Sequence, residues 1–172
     1  MRRSLFAALV AGFVAFSPHS AFGQARFGVS GGPAVPVSDL ADVAGLGYDV
    51  AVALHFGGTH VPFGARVEGG LNGFSLDDAD DDVRILNLTV NAVANFGQRP
   101  TSPYLIGGLG LYNSKAANLD SKNAIGINLG GGFRFPIHQL STFLEARYHL
   151  MLGKRSDFAN FQFIPITFGV IY

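Results

Sequence analysis

The stretch Tyr48-Asp49-Val50-Ala51-Val52-Ala53-Leu54-His55-Phe56 alternates without a break. Tyr48, Val50, Val52, Leu54 and Phe56 are large and apolar. Asp49, Ala51, Ala53 and His55 are polar or small. Successive side chains of a strand point to opposite faces, so this segment reads as a strand with one greasy side and one polar side.

The same pattern recurs on both sides of it. Phe63, Ala65, Val67, Gly69 and Leu71 alternate with Gly64, Arg66, Glu68, Gly70 and Asn72. Leu86, Leu88, Val90, Ala92, Ala94 and Phe96 alternate with Asn87, Thr89, Asn91, Val93 and Asn95. Ile125, Ile127, Leu129, Phe133 and Phe135 alternate with Gly126, Asn128, Gly130, Gly132 and Arg134. Thr142, Leu144, Ala146, Tyr148 and Leu150 alternate with Phe143, Glu145, Arg147 and His149. Three further segments are less regular: Arg26 to Val35, which is rich in glycine, Tyr104 to Tyr112, and Phe161 to Tyr172. Tyr104 to Tyr112 is apolar on both faces, and the reading turns Leu105, Leu109 and Leu111 to lipid. The total is eight strands.

The start of the chain reads differently. Met1-Arg2-Arg3 is basic, Leu5 to Phe16 is apolar, and Ala21-Phe22-Gly23 offers small residues to a signal peptidase. Residues 1–23 are therefore expected to be a cleaved secretory signal peptide, with a second frame cleaving after Ala25. Residues 24–172 form one domain. The whole chain has 12 basic and 12 acidic residues. Loss of Arg2 and Arg3 leaves 10 basic against 12 acidic, a net −2, and no basic surface for nucleic acid. There is no cysteine, which excludes disulfides, thiolate metal sites and a lipoprotein anchor. Glycine is frequent at 23 residues, which disfavours a helical protein. Beyond the signal no apolar run is long enough for a spanning helix, so a chain in a membrane must cross it as a closed barrel.

The expected connections alternate in kind. Gly57 to Pro62, Gly97 to Pro103 and Pro136 to Leu140 are short. Pro36 to Gly47, Ser75 to Asp82, Asn113 to Asn123 and Gly153 to Asn160 are longer and polar. In outer-membrane barrels short turns face the periplasm and long loops face outside. The competing architecture is a soluble eight-stranded barrel, whose apolar face lines a cavity. The charges decide against it: Arg66, Glu68, Arg134, Glu145 and Arg147 share a face with Gly, Ala, Asn and Thr. Between glycines at 64, 70, 126, 130 and 132 they can fill the narrow interior of an eight-stranded barrel as a paired network. The expected fold is all-β, an eight-stranded antiparallel up-and-down transmembrane β-barrel plugged by polar side chains.

Ile164, Ile166, Phe168, Val170 and Tyr172 form one apolar face that ends in an aromatic carboxy-terminal residue. This resembles the C-terminal signal read by the barrel assembly machinery. Pro103-Tyr104-Leu105-Ile106-Gly107-Gly108-Leu109-Gly110 resembles the Pro-Tyr, glycine-rich fifth strand of small OmpA-like and OmpX-like outer-membrane barrels. Phe143-Leu144-Glu145-Ala146-Arg147-Tyr148 resembles their penultimate strand. The resemblance covers the mature chain and implies a Gram-negative outer-membrane location. Its implied partners are outer-membrane lipid, lipopolysaccharide and the assembly machinery, with a monomeric barrel. It leaves the activity open, because the superfamily spans structural proteins, adhesins, porin-like channels and a few enzymes.

The residues themselves argue against catalysis and against a cofactor. Barrel lipid A deacylases carry His-x-Ser on a strand, whereas His149 is followed by Leu150 and Met151. His60 and His138 fall in expected turns, and His55 lies near a strand end. The acidic run Asp77-Asp78-Ala79-Asp80-Asp81-Asp82 lacks EF-hand spacing and reads as a solvated loop, with divalent-ion binding as the alternative. The expected role is structural or surface interaction. A narrow porin-like channel is the first alternative and a lipid-modifying barrel enzyme the second.

Overall fold

The computed structural model describes residues 25–57, 62–75, 82–97, 101–116, 121–138, 140–152 and 161–172. The expected signal peptide, His60, most of the acidic run and the 153–160 connection lie outside them. The eight strands are β1 (Arg26–Val37), β2 (Gly47–Phe56), β3 (Phe63–Ser75), β4 (Asp82–Asn95), β5 (Ser102–Ala116), β6 (Lys122–Ile137), β7 (Leu140–Leu152) and β8 (Gln162–Ile171). Each pairs antiparallel with the next, and β8 returns to β1 to close the barrel. Closure satisfies the backbone groups that an open edge would leave unpaired.

The period-two reading sets the faces. On β2, Tyr48, Val50, Val52 and Leu54 are exposed, while Asp49, Ala51, Ala53 and His55 are buried. On β5, Leu105, Leu109 and Leu111 point out. That strand is apolar on both sides because its inward set, Tyr104, Ile106 and Tyr112, belongs to the core. The outward wall is apolar and carries aromatic residues near both rims. Phe27, Phe63, Phe133 and Tyr172 lie toward the short-turn end, and Tyr48 and Tyr148 toward the loop end. Such girdles flank the lipid-facing band of outer-membrane barrels.

Two connections are shorter than the sequence reading, and two strands are longer. β3 and β4 extend past the expected Leu71 and Leu86 to Ser75 and Asp82, which pair at the ends of the expected loop. Asn113 and Asn123 pair at the ends of the expected 113–123 loop and Ser114 pairs with Lys122 inside it, with β5 continuing to Ala116. At the other end Ile137 pairs with Leu140, so the expected Pro136–Leu140 connection is shorter than read, and His138 takes a φ of 54°. Histidine is among the residues that tolerate this left-handed conformation. The polar segments were read as loops because they lack an apolar face. Beyond the membrane no such face is needed, and the ladder continues through Asn, Ser and Lys. The strict contrast of long and short connections is thereby replaced by projecting hairpins, β3–β4 and β5–β6.

The interior is also less polar than expected. At the turn end Val93, Tyr104, Ile106, Phe143 and Ile171 pack together. At the loop end Phe74, Val83, Ile85, Tyr112, Met151 and Phe163 form a second apolar cluster. The β1–β2 connection contributes to it: Ser38 enters a short 3₁₀ turn, Ser38–Leu40, at a φ of 54° and delivers the fully buried Leu40. The Gly45 amide donates to the Ser75 carbonyl at 3.0 Å and ties this connection to the end of β3. The plug is thus a charged layer held between two apolar ones.

Candidate functional site

The charged layer is built from two dipeptide-spaced pairs. Arg66 and Glu68 are two residues apart on β3, and Glu145 and Arg147 are two apart on β7, so all four face inward. In a ring of eight strands β3 and β7 occupy opposite walls. The contacts therefore cross the lumen. Arg66 Nη1 donates to Glu145 at 2.9 Å (Oε2) and 3.1 Å (Oε1). Arg147 Nη2 donates to Glu68 Oε1. Each arginine also reaches the acid on its own strand, Arg66 to Glu68 at 3.5 Å and Arg147 to Glu145 at 3.2 Å. The Tyr104 hydroxyl donates to Glu145 Oε2 at 2.6 Å.

The surroundings hold this square in place. The Arg66 guanidinium lies 4.9 Å from the Phe143 ring centre, a cation–π contact. Small residues make room for the long side chains. A methyl group on Gly132 would come within 2.8 Å of the Tyr104 hydroxyl, and one on Gly130 within 2.8 Å of Arg147 Cβ. Gly126 lies beneath Tyr112 and Gly70 beside Asn87. Gly64 differs from the sequence expectation: it faces the Phe56 carbonyl and makes room for no interior side chain.

Arg134 stands apart from the square. It is buried, stacks at 5.6 Å over Tyr104, and has no ion pair among the described residues. The structure adds an acid that sequence reasoning placed inside but left out of the network, Asp49. The signal for it was the formal count, since three inward arginines stand against two inward glutamates. Buried amides also surround the layer, among them Asn72, Asn87, Asn91 and Asn128.

His55 and His149 are core residues, and His138 is exposed in its turn. His149 accepts or donates a 2.8 Å hydrogen bond with the Tyr112 hydroxyl through Nδ1, and its ring stacks on Phe163 at 4.8 Å. His55 is buried beside Phe143, 6.1 Å between ring centres. Among the described residues no three His, Asp or Glu side chains converge as a metal site would require. What this interior does is occupy its lumen: charge-assisted bonds run from wall to wall, with apolar packing above and below.

The carboxy-terminal residues lie on the outer face. Ile166, Phe168 and Tyr172 are exposed and Ile164 and Val170 half-buried, while Phe163, Thr167 and Ile171 point in. The Tyr172 amide donates to the Phe27 carbonyl at 2.8 Å across the β1–β8 seam.

Comparison with solved structures places this arrangement among small outer-membrane barrels. Neisserial surface protein A is similar, with a TM-score of 0.69 at 16% identity over 88% of this chain and 98% of that one. The N-terminal β-barrel domain of Pseudomonas aeruginosa OprF gives 0.54 at 14% identity over 87% and 100%. The outer membrane enzyme PagL gives 0.55 at 12% identity over 86% and 98%. These likenesses show the fold alone. A search of curated proteins finds no match. Residues 6–172 match the family described as the outer membrane protein beta-barrel domain. With its closed ring of eight strands and its apolar, aromatic-girdled wall, the chain belongs to that family and resides in the bacterial outer membrane.

Proposed function

We propose that this protein is a closed, non-enzymatic barrel with a structural or surface-interaction role, presenting its loop end to the outside. The observation that carries the reading is the pair of ion pairs joining β3 to β7 across the lumen. An eight-stranded barrel is only wide enough for side chains to fill it. Here they fill it with groups that are costly to separate. The placement of His149 supports the non-enzymatic reading: it is sealed between Tyr112 and Phe163 and faces away from lipid. The test is planar-bilayer conductance of the refolded mature chain. No steady unitary current is expected. Large, steady openings would replace this reading with a porin-like one, and hydrolysis of lipid A by the refolded chain would replace it with an enzyme.

The same proposal includes assembly. Tyr172 closes the outward face of β8 and bonds to β1. Deleting Tyr172 is expected to leave export intact and to lower the fraction of protein in the outer membrane, read by fractionation of pulse-labelled cells. Insertion at the normal rate would remove the assembly role of this face.

A further inference from the structure

Arg84 on β4 and Lys115 on β5 are register partners on the outer face. Both are exposed, and among the described residues neither has an ion-pair partner. Like charges directly opposite each other on an antiparallel pair repel. Asp82 lies on the same outward row as Arg84, two residues away, and forms no ion pair with it. The two cations stand immediately above the apolar band. Below them the outer wall is indented by a groove of about 710 Å³, lined by Leu86, Leu88, Leu111 and Ile125 and topped by Asn113 and Asn123. The Asn113 amide donates to the Asn123 side-chain oxygen at 2.7 Å, which leaves other amide atoms of the pair open to a ligand.

We propose that this corner of the wall binds the lipid A moiety of lipopolysaccharide, a phosphorylated and multiply acylated sugar. Arg84 and Lys115 hold a phosphate, which removes their mutual repulsion. The asparagine pair meets sugar hydroxyls, and the groove takes an acyl chain. Three kinds of chemistry are stacked in the order of such a ligand, from charged head to apolar tail. A phospholipid would use the cations and the groove but offers the amides no sugar. The proposal rests on the outward orientation of the loop end. That orientation is tested separately by protease on intact cells, whereas lipid binding in detergent does not depend on it.

The experiment is native mass spectrometry of the refolded barrel in detergent, titrated with bisphosphorylated lipid A, dephosphorylated lipid A or phosphatidylglycerol. One lipid A is expected to remain bound per barrel. Each cation is worth about fivefold near an anionic surface. R84S/K115S should therefore weaken lipid A binding roughly 25-fold and bring it to the level of the dephosphorylated lipid. Folding of this variant is checked by heat-sensitive gel mobility. The charge-conserving R84K/K115R should bind as the parent does, which separates loss of charge from loss of structure. Unchanged binding by R84S/K115S, equal binding of dephosphorylated lipid A, or equal binding of phosphatidylglycerol would each overturn the proposal.

Discussion

Glu145→Gln is expected to lower the unfolding free energy of the barrel by about 3–5 kcal/mol, the range for breaking a buried ion pair from one side. Glu145 accepts from Arg66 and Tyr104 and lies 3.2 Å from Arg147. Without its charge both arginines must share Glu68. Arg66→Met alone should cost a similar amount, because Glu145 then keeps a single cation. The double variant retains the Arg147–Glu68 pair and should be more stable than the sum of the single losses implies, by about 0.5–3 kcal/mol. Gel mobility across a urea series in lipid vesicles measures all four forms; the chain has no tryptophan to serve as an optical probe. Strict additivity would mean that the two residues do not act as a unit.

The second large effect is expected at Gly169. A methyl group there would overlap the Phe143 ring, and Phe143 cannot easily yield. Arg66 lies over its face and His55 stands beside it. Gly169→Ala should therefore destabilise the barrel by about 1–3 kcal/mol, the usual cost of overpacking. Phe143→Leu in the same chain should restore part of the loss. Gly69 is the control, since a methyl group on it meets nothing within 4 Å and it lies on the outer wall. Gly69→Ala should change stability by no more than about 0.5 kcal/mol. Equal losses at the two glycines would show that backbone freedom and not ring packing sets the cost.

The contrast between these glycines was not legible in the sequence, whereas the faces were. Alternation alone puts Arg66, Glu68, Glu145 and Arg147 inside and Val50, Val52 and Leu54 outside, because the period of two is a backbone property. Which inward residues meet is set by strand number and closure. Arg66 and Glu145 are 79 residues apart, and nothing local couples them. The apolar layers above and below the charges were missed for a related reason. Phe74, Val83 and Ile85 lie past the lipid-facing band, where the outward side chains turn polar and, on β4, the alternation reverses its polarity. Leu40 comes from a connection, where no periodicity applies. Asp49 was placed inward but not counted among the charged residues of the interior.

The bonds from β3 to β7 also bear on how the chain reaches its native state. Arg66–Glu145 and Arg147–Glu68 both join residues 79 positions apart, while the hairpins on either side can form from neighbouring segments. Loop-closure entropy must be overcome before such distant contacts can contribute. The crossing pairs can form only when the two halves of the sheet curl toward each other, at the stage when β1 meets β8. Until then two arginines and two glutamates face a lumen still open to water, where ions cost little. Drying of the interior and joining of the seam are therefore expected to be one cooperative event late on the pathway. Loss of Glu145 should act mainly on the rate of unfolding, with little effect on the early formation of hairpins.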